Sequence, residues 1–477
     1  LVANGEVNSL WLLADLKAGR EPRIFRVKQV CHNKGEGGGA RVDAGYAAMG
    51  SEAWKDTYEF TGTKLEEFPL PSVLPRDRAR HLDALSRGAA HSLPAEVLKA
   101  EVSPAGVDHA RDVWQSCREQ LIFEQEELDW EVYRSYGLID EDLTYSGTSI
   151  ERISLGERAF EIALARQVAE GSEETSWFER HGSTPIMELP RAWPADYQAL
   201  VERRLEALAS DPFIGLLERP EYKRRWQSDT FDDLLPDALR DLILDKVEAA
   251  ALWSDASGPG VLSIAQLADR LRGDTDLVEA VRLLRNAVDI ELTSELSALL
   301  AEESVPFLAA HRFKDSGLRK RDEWEQVWDL QRREDAGEEV SIPVPPKYKT
   351  GDFRNASYWK ARGKLDVPKE RFISYPGATR SGDPTLVVGW AGWDHLEQAR
   401  ALARLIVERT TNDDLSPDAH LSLVAGLVEL EPWLHQWHGE PDPSFGGASA
   451  AAFMSSFIDN QLAGLGKTRT DAKAWRP

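Results

Sequence analysis

Apolar positions along the chain predict a mostly helical body with two strand-bearing stretches. Ile24-Phe25-Arg26-Val27-Lys28-Gln29-Val30 alternates apolar and polar side chains, the period of a half-buried strand. The glycine-rich Gly35 to Gly39 ends it as a loop, and Pro69, Pro71 and Pro75 forbid a continuing central strand or helix, which sets a domain edge near residue 75. From Val107 to Tyr136 the period becomes helical: Val113, Trp114, Cys117, Leu121, Leu128 and Val132 form a stripe on one face. Further helices are predicted at Ile150–Glu170, Ala195–Ala209, Phe231–Trp253, Ile264–Leu271 and Asp276 to about Leu300. Proline and glycine then punctuate Val340 to Val388, with strand-like Val340–Val344 and Leu386–Val388, before helices return at Trp393–Thr410, Pro417–Trp437 and Ala448–Leu465. The expected fold is mainly α with smaller mixed α/β regions, divided into 1–75, a mainly helical 76–335 and an α+β region 336–477. No solenoid period is present.

Composition narrows the classes. No apolar run approaches the ~20 residues of a membrane helix, and Leu1 to Leu16 is too polar for a signal-peptide core. A cytoplasmic address without membrane contact is expected, and a start at Leu1 in place of Met points to an incomplete chain. Two cysteines, Cys31 and Cys117, are too few for a disulfide framework or a four-cysteine zinc site, so both are expected as reduced thiols. A net charge of −24 argues against nonspecific coating of nucleic acid, and makes local basic clusters the informative feature.

Two such clusters stand out. Near the N-terminus, Lys28, Gln29, His32, Asn33 and Lys34 combine donors with a glycine loop, and Lys64 follows; amide side chains pair with adenine edges, lysine with guanine or phosphate. Between Lys347 and Arg371, basic residues including Arg354, Lys360, Arg362 and Lys364 outnumber Asp352, Asp366 and Glu370. Tyr348, Phe353, Tyr358 and Trp359 interleave with them, as in surfaces that track a backbone and stack bases. An ordinary polar surface remains the alternative for both. Leu262–Ala268 followed by a helix from Asp274 has a helix-turn-helix outline that any helical domain shares.

Other chemistry finds little purchase. The Pro345-Pro346 pair has no Asn or Asp before it, so the loop that holds a flipped adenine is missing, and Gly446-Gly447 has no strand ahead of it to make a cofactor turn. His435, His438 and Glu440 have a zinc-compatible spacing at a predicted helix end, where dipole capping is the simpler role. Cys31-His32 lacks further ligands. The acidic run Glu124, Glu126, Glu127, Asp129 and Glu131 is expected to form a solvated helix face. Neither a nucleophile elbow nor a P-loop occurs.

Longer segments carry a resemblance. Val27 to Gly35, Tyr58 to Pro71, Asn355 to Pro376, Gly389 to His395 and the closing Ala474-Trp475-Arg476-Pro477 resemble the PglX family, adenine-specific DNA methyltransferases of phage growth limitation and type 2 BREX phage-defence systems. The resemblance runs from about Arg26 to the end; Leu1 to Phe25 departs from it. It implies that residues 1–75 hold the end of a target-recognition region, with 1–25 foreign to it. It also implies a parent that transfers methyl from S-adenosylmethionine to adenine N6 of double-stranded DNA alongside other phage-defence proteins. The chain itself is expected to lack the catalytic domain and to bind no cofactor, as a truncation, a frameshift product or an independent protein. The competing expectations are a non-enzymatic helical scaffold for partner defence proteins and, last, an acidic DNA mimic. Steep salt dependence separates phosphate binding from the scaffold.

Overall fold

The computed structural model describes residues 70–224, 226, 229–412 and 415–477. The strand expected at Ile24–Val30, the Gly35–Gly39 loop, Cys31 and the site candidates Lys28, Gln29, His32, Asn33, Lys34 and Lys64 lie outside the described residues. The fold is mainly α with small sheets, and the chain divides into two compact units, Leu1–Ala238 and Leu239–Pro477.

In the first unit, helices α1 (Arg76–His91), α2 (Pro94–Ala100), α3 (Pro104–Ser135), α4 (Ala159–Ala169), α5 (Trp177–His181), α6 (Ala195–Ser210) and α7 (Pro212–Leu217) follow one another. Ser103 caps α3 by accepting from the Gly106 amide, and Pro104 occupies the first turn, where its missing N–H costs nothing. The helix expected from Ile150 begins only at Ala159. Gly156 has a φ of +95° and an added Cβ would lie 2.5 Å from the Thr184 carbonyl, so the chain turns there. Ile122, Trp130, Ile162, Tyr197 and Ile214 are at most 1% exposed and form the core.

The acidic run of α3 is not a solvated face. Glu126, Glu127 and Asp129 are buried, because their cations arrive from other elements. Arg204 of α6 donates to both Glu127 oxygens at 2.7 and 2.8 Å and to the Leu143 carbonyl, and its Nη1 lies 3.8 Å from Glu126. Lys223 pairs with Asp129 and, at 2.8 Å, with Glu218, which also accepts from the Tyr133 hydroxyl. Glu124 and Glu131 hold Arg78 of α1. Beside them, Arg158 and Glu161 form a bidentate pair at 2.9 Å that the Trp177 indole joins. Burial drives the Glu127 and Glu218 carboxyls above their ordinary range. Glu161 ends below it: burial pushes upward, but the Arg158 charge and the surrounding hydrogen bonds outweigh that push.

Helix α8 (Phe231–Val247) carries the boundary between the units. It ends earlier than expected because the Trp253 indole donates to the Val247 carbonyl at its last turn. In the second unit, β1 (Ser254–Asp255) and β2 (Gly258–Pro259) form a hairpin, followed by β3 (Leu262–Ser263), α9 (Ile264–Leu271), α10 (Thr275–Arg285), α11 (Leu292–Glu303) and β4 (Ser304–Pro306). The single helix expected over Asp276–Leu300 breaks at Asn286, whose left-handed φ of +49° closes α10. Asp274 and Asp276 at the start of α10 bind Lys246, so the helix-turn-helix outline presents acid where phosphate contact would need base.

Next come α12 (Ala309–Arg312), α13 (Asp315–Asp335), α14 (Ala356–Arg362), β5 (Phe372–Ser374) and β6 (Val387–Trp390). The run Val340–Val344 forms no strand: Pro343 removes a donor within it, Pro345 and Pro346 follow it, and Val344 is 91% exposed. The sheet order is β3-β6-β5-β4, antiparallel except for the parallel β4–β5 pair, so strands from both sides of residue 336 share one sheet. Helices α15 (His395–Thr411), α16 (Pro417–Trp437), α17 (Ala450–Leu465) and α18 (Arg469–Ala474) complete the unit. α15, α17 and α18 all pack on α16, which buries Leu423, Val424 and Leu427 completely. His435 at its end faces Ser455 and Glu431, and His438 donates its amide to the Leu434 carbonyl.

Candidate functional site

The basic segment 347–371 folds around α13, and its polarity is sorted. Its acids turn inward: Asp352 accepts from Lys320 and Ser316, Asp366 from Arg321 and Arg362, and Glu370 from Arg362. Lys347, Lys349, Arg354, Lys360, Lys364 and Lys369 remain exposed. The net positive character of the segment is therefore concentrated on its outer surface. Two expectations change. Tyr348 and Phe353 are 2% exposed, Tyr348 stacked on Phe313 at 4.9 Å and Phe353 tilted against it at 4.7 Å, so they fill a core and are not free to receive bases. Arg362 is committed to Glu370 and Asp366, with a side chain only 15% exposed. Of the four candidates predicted here, Arg354, Lys360 and Lys364 lie on the surface, although the Arg354 Nε also donates to the Phe313 carbonyl.

Behind this segment lies a pocket of about 490 Å³. The end of β4, α12 and α13 supply Phe307, Arg312 and Arg321; the loop after α14 supplies Asp366 and Glu370. His395 of α15 and Glu429 and Trp433 of α16 close the far side, the imidazole stacked on the indole at 5.2 Å and 9°. Burial lowers the pKa of His395, which favours a neutral ring. Asp366 holds a left-handed φ of +53° while its carboxylate meets Arg321 at 2.9 Å, a strained backbone fixed by buried ion pairs.

Arg321 and Arg312 differ. Burial alone would lower the pKa of Arg321, but Glu429 and Asp366 more than compensate and raise it. Arg312 is 3% exposed, and burial followed by repulsion from Arg362 pulls it down to about 10. Its Nε has no hydrogen-bond partner, and its guanidinium makes no ion pair among the described residues. Arg312, Arg321 and Glu429 escape sequence reasoning because they sit on different elements with no local motif. The long 355–376 segment, singled out by resemblance, does supply Arg362, Asp366, Glu370 and Tyr375 to the pocket.

Every residue of the pocket and of the basic segment falls within 121–477, the stretch matched by the family described as "Domain of unknown function (DUF7008)". The chain belongs to the DUF7008 family. The adenine-specific methyltransferase PglX of Streptomyces coelicolor is 47% identical to it over 467 residues, 95% of this chain. The match lies in a C-terminal part of PglX, and the chain spans 38% of that protein's length. No solved structure matches significantly. Within this DUF7008 chain, no helix among the described residues is long and apolar enough to cross a membrane, and no described group of three or more His, Cys, Asp or Glu is arranged to hold a metal ion.

Proposed function

We propose that the chain is the C-terminal portion of an S-adenosylmethionine-dependent adenine-N6 DNA methyltransferase of phage defence. In this reading it serves target recognition and contacts with other defence proteins in the cytoplasm, while cofactor binding and methyl transfer belong to a domain outside these 477 residues. The observation that carries the reading is the 47% identity to PglX over 95% of the chain. The sorted polarity of 347–371 gives the DNA contact a physical form: lysines outward on the phosphate backbone, acids and two of the aromatics inward. Because Tyr348 and Phe353 are buried, the segment chiefly positions the duplex through its backbone, and only the half-buried Tyr358 and Trp359 are left for base contact.

Fluorescence anisotropy with a DNA duplex at increasing salt tests this. Binding is expected to weaken with a log–log slope of about −0.9 per phosphate contacted. The double variant Lys360→Glu/Lys364→Glu is expected to reduce the slope by about 2 on the same arithmetic. A slope near zero, or one the double variant leaves unchanged, would remove DNA contact by this segment and leave the helical scaffold in its place.

A further inference from the structure

Within the pocket-lining residues, the buried polar atoms without a partner are Arg312 Nε, Arg362 Nε and Trp393 Nε1: three donors and no acceptor. Buried donors are normally satisfied, and a set of one sign asks for a ligand of the opposite one. The charges agree. Arg321 and Arg362 are answered by Asp366 and Glu370. Glu429, the remaining carboxyl, turns both oxygens to the Ala309 amide at 3.2 and 3.3 Å, and burial raises its pKa. Arg312 is left as a buried cation with no direct ion pair among the described residues: Asp366 and Glu429 act on it, but neither bonds to it. A guanidinium at such a position presents a planar fork suited to phosphate or carboxylate.

The rest of the wall is aromatic: Phe307, Tyr375, Trp393 and Trp433 line it, with Gln398 as a neutral polar group. About 490 Å³ lies in the ordinary range of small-ligand sites, far more than one oxyanion fills. We infer that this pocket binds a nucleoside monophosphate, with the phosphate on Arg312 and the Trp393 indole, and the base against Phe307 and Trp433, the half-buried rings of its wall. The site is independent of the DNA contact proposed above, whose lysines face outward.

Isothermal titration of the full chain with AMP, adenosine and inorganic phosphate tests the inference. AMP is expected to bind at least about tenfold tighter than either fragment, since each supplies only part of the contact. Arg312→Gln is expected to weaken AMP by about tenfold or more and to leave the weak binding of adenosine unchanged. Val367→Glu is the second variant: Val367 is 50% exposed at the rim, so the change adds a negative charge without disturbing the core, and AMP is expected to weaken there too. Absence of AMP binding overturns the inference. So does AMP binding that both variants leave intact, phosphate binding as tight as that of AMP (an anion site only), or adenosine binding as tight as that of AMP.

Discussion

Replacing Arg204 by Met tests how the first unit tolerates its buried charge. The side chain is fully buried and supplies both hydrogen bonds from Arg204 Nη2 to Glu127 and two to the Leu143 carbonyl. Met fills similar volume but leaves Glu127 with only the Tyr145 amide, at 2.6 Å. Breaking a buried pair from one side costs about 3–5 kcal/mol. A ceiling exists, because Glu127 escapes by taking a proton. That costs about 1.4 kcal/mol for each pH unit between a carboxyl's ordinary pKa near 4.3 and the pH of the assay, or roughly 4 kcal/mol at pH 7. Burial already raises the folded pKa of Glu127 above its ordinary value, and losing Arg204 raises it further. In that window the native state holds a proton that the unfolded chain releases, so stability rises as pH falls. Urea unfolding followed by circular dichroism is therefore expected to show a loss of about 3–4 kcal/mol at pH 7 that shrinks to about 1 kcal/mol at pH 5. A loss below about 1 kcal/mol at pH 7, or one that does not change with pH, would refute the argument that Arg204 compensates an otherwise uncovered carboxylate.

Two further outcomes are expected. At Gly426 an added Cβ would lie 2.4 Å from Phe307 and 3.0 Å from Leu402, so Gly426→Ala forces α16 outward or tilts the Phe307 ring; a cost of about 1–3 kcal/mol in thermal unfolding follows. Asp255 accepts hydrogen bonds from Arg404 and from the Ser257 amide, which hold its carboxyl down at about 2. NMR titration of Arg404→Gln is expected to move it back toward its ordinary 3.8, and an unmoved value would assign the depression to the turn alone.

Legibility in the sequence followed locality. α16 was readable at both ends because Pro417 and its serine cap mark the start and an unbroken apolar face runs behind them, and α9 because Ser263 and Gln266 form a capping box. Of the sheet only β6 showed, through the strand-like Leu386–Val388; its partners, of two to three residues, are too short to display an alternating period. The acids of α3 looked solvated because nothing near them in sequence announces Arg204 or Lys223. Asn286 broke a helix that its apolar period would have continued. For the pocket, resemblance pointed to the loop that wraps it, while the deciding Arg312 sits on a four-residue helix among unrelated neighbours.

The strand order of the second unit also constrains how a ribosome can make it. Leu262 has no ladder partner until Val388 has been synthesised, and Val305 none until Ile373. Pairings this distant close late and slowly. During translation, helices α9 to α11 emerge with Leu267, Leu277 and Leu296 uncovered, the surface that chaperones capture and that aggregates when they do not. A stop codon anywhere between Leu262 and Val387 would not trim this unit by one element; it would withhold β6, the strand that joins β3 to β5, and leave the sheet unassembled.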